Sequence, residues 1–97
     1  MTPLTVTPGT GPGGRPLLTV AGEIDLGNAQ VLARALEATE STTGPVVVDL
    51  TAVEYLDSAG LSVLFAHAAR LEIVVPPLLE PLLAYSGLTE LAVVRVP

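Results

Sequence analysis

Cysteine is absent from this chain of 97 residues. That excludes disulfides, thiolate metal sites and thiol catalysis. Lysine is absent too, and the only cations are Arg15, Arg34, Arg70 and Arg95, leaving a net charge of -6. Nucleic acid and anionic membrane surfaces attract clustered Lys and Arg, so neither is an expected partner. The acidity suits a basic protein partner, although solubility alone would account for it. With no tryptophan, one phenylalanine and two tyrosines, no aromatic cluster marks a binding face. Charge of either sign is scarce, at 14% against roughly a quarter in an average domain. That suits a sheet covered by helices or a surface kept apolar for a partner. Pro76, Pro77, Glu80 and Pro81 interrupt the best apolar stretch, so no segment is long enough to cross a bilayer. Met1-Thr2-Pro3-Leu4 has no basic region leading into an apolar run and is not a secretory signal. The default reading is one cytoplasmic domain over residues 1–97, expected to be a monomer.

What is present alternates between two periodicities. Leu4 to Thr7 reads as a short edge strand, Pro8 to Pro16 as a Gly/Pro loop, and Leu17 to Ala21 as the second strand of a hairpin. Asp25 and Asn28 can each cap a helix from about Gly27 to Glu40, with Ala29, Leu32, Ala33 and Leu36 as its buried stripe. Val46-Val47-Val48-Asp49-Leu50 does not alternate and reads as a central strand buried on both faces. Thr51 to Leu56 reads as a connection. Asp57-Ser58 opens a second helix with Leu61, Leu64, Phe65 and Ala68 on one face. Glu72 to Val75 is a strand, and Pro76-Pro77 leads to a third helix ending near Ser86. Gly87 fits a left-handed cap followed by the apolar Leu88. Ala92 to Val96 is a last strand. The fold class is therefore α/β: a mixed sheet of four to five strands in a single layer, with helices packed on it. One junction is tight. A second helix running to about Arg70 leaves almost no residues before the next strand, where about 2 to 6 are usual. Either the helix is short or residues are absent from the chain there.

Several motifs dissolve on inspection. Gly9-Thr10-Gly11-Pro12-Gly13-Gly14 matches a dinucleotide fingerprint in letters, but a strand rather than a helix follows it. A hairpin loop accounts for it, and without lysine no P-loop is possible. Ser58 as a nucleophile needs a base within reach. The single histidine, His67, lies about 13 Å further along the same helix and about half a turn round it. The nucleophile elbow is also missing, so no catalytic residue is assigned and the chain is not read as an enzyme. Asp25, Asp49 and Asp57 lie near strand ends or helix starts and could share a metal. Helix capping accounts for Asp25 and Asp57, and a strand end meeting solvent accounts for Asp49. No metal or cofactor is assigned.

Asp57-Ser58-Ala59-Gly60-Leu61 carries more information. A plain helix cap is the simplest account of it. Yet Gly60 sits in a first helical turn, where it costs up to about 1 kcal/mol relative to alanine. A glycine there lets another backbone approach closely. Ser58 sits where a hydroxyl can face outward. A phosphate on it would be tolerated by the helix dipole and free amides. It would also add almost two negative charges beside Asp57 and near Asp25. A fold that survives phosphorylation while a docked partner does not is what a binding switch needs.

The run Val46-Val47-Val48-Asp49-Leu50-Thr51-Ala52-Val53-Glu54-Tyr55-Leu56-Asp57-Ser58-Ala59-Gly60-Leu61 closely resembles the signature of STAS domains, in particular the bacterial anti-sigma-factor antagonists. Val20-Ala21-Gly22-Glu23-Ile24-Asp25 is similar to the family's strand before its first helix, and Leu82-Leu83-Ala84-Tyr85-Ser86-Gly87-Leu88 to its last helix. The resemblance implies a sheet flanked by helices and a partner-switching role. The unphosphorylated protein binds an anti-sigma factor that is itself a serine kinase of the GHKL type, which frees the sigma factor. The kinase phosphorylates Ser58, the partners separate, and a phosphatase resets the switch. The implied partner-binding residues are Asp25, Asp57, Ser58, Ala59, Gly60 and Leu61. The alternative is a non-switching STAS module, such as an accessory subunit of a lipid-transport ATPase or a scaffold piece of a stress complex. A nucleotide-binding domain is a third reading, disfavoured by the missing lysine and phosphate cradle.

Overall fold

A computed structural model describes residues 2–97. Its spine is β3 (Val46–Leu56), the middle strand of five. Upstream of it, β1 (Thr5–Thr10) runs antiparallel to β2 (Pro16–Ile24). Downstream, β4 (Leu71–Val74) and β5 (Val93–Arg95) complete a sheet whose spatial order is the sequence order. All pairs from β2 to β5 are parallel. Each parallel step is crossed by a helix: α1 (Ala29–Glu37), α2 (Ser58–His67) and α3 (Glu80–Ser86). Right-handed crossovers that all step in one direction put every helix on the same face. The core agrees. Leu18, Val20 and Ile24 of β2, Val46, Val48, Leu50, Val53 and Leu56 of β3, and Leu71 and Ile73 of β4 form one cluster with Leu32, Leu36, Leu64 and Leu83 of the helices. The expected mixed α/β sheet in a single layer is what forms.

The opposite face has no helix but is not bare. Val47 and Val74 are buried on it, outside the helix-side cluster. The hairpin loop at Gly11 lies over Val47. Glu72, the cross-strand neighbour of Val47, binds Arg15 at 3.0 Å and Arg95 at 3.1 Å. So the valine run is buried on both faces as its sequence implies, with a loop and an ion-pair ladder taking the place of helices.

Several boundaries differ from the sequence reading: β2 runs on past Ala21 to Ile24, β4 and β5 shift by a residue at their ends, and three further differences have a structural meaning. β1 extends through Pro8 and Gly9 to Thr10, which an edge strand permits because one side of its backbone needs no partner. β3 continues through Thr51–Leu56, the segment read as a connection. Its register with β2 slips between Thr19↔Asp49 and Ala21↔Ala52, and again between Gly22↔Val53 and Glu23↔Tyr55, each time with an extra residue on β3. These bulges convert an alternating pattern into burial at Leu50, Val53 and Leu56. Asp49 is therefore mid-strand, and it accepts hydrogen bonds from the Thr51 amide at 2.9 Å and hydroxyl at 2.7 Å across the first bulge. Third, α1 is shorter than expected and ends at Glu37.

The tight junction is solved by a short helix. α2 stops at His67, one 3-10 turn spans Ala68–Arg70, and β4 begins at Leu71. Arg70 reaches back to the end of α1, donating to the Thr39 carbonyl at 2.9 Å and to the Leu36 carbonyl. A cation on the last carbonyls of a helix also complements its dipole. At the end of α3, Gly87 adopts the left-handed conformation at φ 89° and Leu88 is buried behind it, as the cap motif requires.

Candidate functional site

β2 and β3 end side by side, with Ile24 opposite Leu56. The next residues, Asp25 and Asp57, therefore stand on one rim, at the carboxyl ends of parallel strands. The Asp57 amide donates to the Ile24 carbonyl at 3.2 Å, tying the start of α2 to the end of β2. Asp57 is the N-cap of α2. Its Oδ1 accepts from the amides of Ala59 at 2.8 Å and Gly60 at 3.3 Å. Two of the helix's unpaired donors are thereby satisfied.

Ser58 is the first residue of α2 and is exposed. The chain has four serines. The hydroxyls of Ser41, Ser62 and Ser86 each donate to a backbone carbonyl, of Gly44, Ser58 and Leu83 respectively. Among the described residues none binds the hydroxyl of Ser58. Ala59 and Leu61 are half-buried against the core, and Asp25 and Asp57 are half-buried on the rim.

Gly60 lies beneath this surface. A Cβ there would run into Leu56 Cδ1 and stand 2.8 Å from Ile24 Cγ2. The close approach that excludes a side chain is thus internal, from the ends of β2 and β3, and not from an incoming backbone. Gly60 sets how low α2 sits on the sheet, and so where Ser58 stands.

On the rim, Leu26 escaped the sequence reading, and Asn28 has a role other than the cap expected of it. Asn28 does not cap α1 with its side chain. It spans the β2–α1 turn instead, accepting from the Asp25 amide at 2.8 Å and donating to the Glu23 carbonyl at 2.8 Å. Asp25 Oδ1 in turn accepts from the Gly27 amide at 2.9 Å. Leu26, at the tip of this doubly pinned turn, is 83% exposed. A large apolar side chain between Asp and Gly was the available signal.

His67 is partly buried at the far end of α2, beside a cleft of about 310 Å³ lined by Phe65, Arg70 and Leu91. That cleft is a helix length from Ser58. No group of three or more acidic or histidine side chains among the described residues is placed to hold a metal ion. No helix among them is long and apolar enough to cross a membrane.

The comparisons agree with this architecture. A family model described as "Mlab, STAS domain" matches residues 10–95. The chain belongs to the STAS domain family. The crystal structure of an anti-sigma factor antagonist from Mycobacterium paratuberculosis is similar at 27% identity over 96% of this chain and 86% of that one, with a TM-score of 0.82. An antisigma-factor antagonist STAS domain from Rhodobacter sphaeroides shares the fold at 16% identity over 74% of this chain and 84% of that one, with a TM-score of 0.56. So does a protein with a SpoIIAA-like fold from Shewanella loihica, at 12% identity over 100% of this chain and 87% of that one, with a TM-score of 0.61. A search of curated proteins finds no match.

Proposed function

We propose that the chain is an anti-sigma-factor antagonist working as a partner switch. Unphosphorylated, it binds an anti-sigma factor that is also a GHKL-type serine kinase, and the sigma factor is released. The kinase transfers the γ-phosphoryl group of ATP to Ser58 Oγ; the hydroxyl proton is lost, ADP leaves, and the complex separates. A phosphatase restores the serine. The chemistry is done to this chain and not by it.

The observation that carries this reading is the free, exposed hydroxyl of Ser58 beside an Asp57 cap that already engages the helix amides next to it. The amides of Ala59 and Gly60 already serve Asp57. A phosphate on Ser58 is therefore tolerated because it stands in solvent, and not because helix amides await it. It adds almost two negative charges directly beside Asp57. A partner seated over Asp25, Leu26, Asp57 and Ser58 would have to desolvate that charge, and its repulsion from Asp57 would strengthen as water is excluded. Leu26 is the apolar anchor of this surface, held in place before binding by the Asp25–Asn28 turn.

The test is phosphorylation by a candidate anti-sigma kinase from the same organism, with Ser58→Ala and Ser58→Asp alongside. Label on the wild type but not on Ser58→Ala, and loss of binding by Ser58→Asp, are expected. Equal binding by all three proteins without label, using a kinase shown active on another substrate, would establish the non-switching STAS module instead.

A further inference from the structure

The cleft at the far end of α2 plays no part in the Ser58 rim. Its volume is about 310 Å³, and a cavity of about 150 Å³ already holds a benzene ring. Phe65, Ala66, Ala69 and Leu91 give it apolar walls, and His67 and Arg70 stand in the same lining. Phe65 is braced against the core. Ala66 and Ala69 are short and exposed, and Leu91 is 57% exposed, so the cleft opens to solvent. Its floor is fixed, because the 3-10 turn Ala68–Arg70 passes into β4 without a loop. A preformed, mostly apolar hollow with a few convergent polar groups has the make-up of a small-molecule site.

Charge decides what fits it. The chain has four arginines and no lysine. Arg15 and Arg95 are neutralised by Glu72. Arg34 stands in solvent on α1, beside Gln30. Arg70 is half-buried, and among the described residues it has no carboxylate partner. Two of its N–H groups serve neutral acceptors, the carbonyls of Thr39 and Leu36. A guanidinium carries five, so donors remain, and carbonyl oxygens leave its charge uncancelled. His67 forms no ion pair either among the described residues. Glu90, next to Leu91, is exposed and does not line the cleft. Positive charge without a counter-ion, beside apolar walls, selects an anion with an apolar body. We propose that this cleft binds a small carboxylate carrying an aryl or similarly compact apolar group. The carboxylate sits on Arg70 and His67, and the apolar group lies against Phe65 and Leu91. The proposal does not depend on phosphorylation of Ser58, which stands a helix length away.

The experiment titrates the ¹⁵N-labelled full chain with sodium benzoate, benzamide and sodium acetate at constant ionic strength. Benzoate is expected to shift the amides of residues 65–70 and 91, which line the cleft, and to saturate. Benzamide offers a neutral acceptor on the same ring and should bind about tenfold more weakly. Acetate has the charge without the ring and should not saturate. Ala69→Glu, at an exposed position, sets a carboxylate beside Arg70 and should abolish the benzoate shifts. Arg70→Gln should bring benzoate down to the affinity of benzamide. That variant also loses bonds to the end of α1, so Ala69→Glu carries the test if it does not fold. The proposal is overturned by benzoate shifts centred elsewhere or spread over the surface, by equal affinity for benzoate and benzamide, or by unchanged benzoate binding in Ala69→Glu. Absence of saturable benzoate binding overturns it as well.

Discussion

Replacing Gly60 by alanine puts one methyl group against Leu56 Cδ1 and 2.8 Å from Ile24 Cγ2. The two neighbours differ in what they can yield. The end of a leucine side chain can turn aside. Ile24 is β-branched, fully buried and fixed on a strand. Overpacking of this kind costs about 1–3 kcal/mol, and the rigid neighbour places the cost near the top of that range. Alanine recovers about 1 kcal/mol of helix propensity. The net expectation is a loss of about 1–2 kcal/mol, read by urea unfolding followed by circular dichroism, or a midpoint lower by about 5–15 °C. Ala66→Gly, at an exposed position of the same helix, calibrates the propensity term and should cost about 1 kcal/mol. A Gly60→Ala protein as stable as the wild type would refute the internal-packing account. If such a variant lost only its partner, Gly60 would be kept small for an incoming chain instead.

Two further outcomes follow from the ion pairs and caps. Hydrogen bonds from Arg15 and Arg95 hold the Glu72 carboxyl below its usual value of 4.5. A carboxylate so depressed stabilises the fold fully above about pH 4.5 and ceases to do so as pH falls through the lowered value. Glu72→Gln should therefore flatten the acid limb of the stability curve; an unchanged slope would count against the ladder. Arg70→Ala strips two hydrogen bonds from the end of α1, and bonds to a charged donor are worth about 1.5–3 kcal/mol each at most. Stability should drop by about 2 kcal/mol, with hydrogen exchange rising first at Leu36 to Thr39. Uniform loss of protection across the chain would argue against a local capping role.

Much of this fold is written in local signals. The apolar stripe of α1, the Asp57 cap and the Gly87–Leu88 stop each need only a few neighbouring residues, and each is where the sequence implies, except that Ala35 rather than Ala33 packs beside Ala29, Leu32 and Leu36. The second half of β3 is not, because a bulge is a property of two strands. Leu50, Val53 and Leu56 recur every third residue, which suits neither period, and only the slip against β2 makes them one face. The same limit applies at the rim. Asp57 and Ser58 are adjacent in sequence and easily seen together. Asp25 joins them only through the pairing of Ile24 with Leu56. Leu26 depends on a turn held by Asn28 from both ends. Gly60 is visible as an anomaly in a helix, but its cause lies in β2 and β3.

The loopless passage from α2 into β4 has a mechanical consequence. A helix that runs straight into a central strand has no slack at that end, and Arg70 fastens the same corner to α1. At the other end, Asp57 is stitched to Ile24. α2 is thus a beam fixed at both supports, unable to slide along the sheet or lift without breaking a joint. A molecule arriving at Ser58 meets a surface already in its final shape. It has no loop to order, so little conformational entropy is lost on this side of the contact. Release, in turn, cannot be transmitted by moving the helix. On the proposed switch, it would come instead from charge added at Ser58.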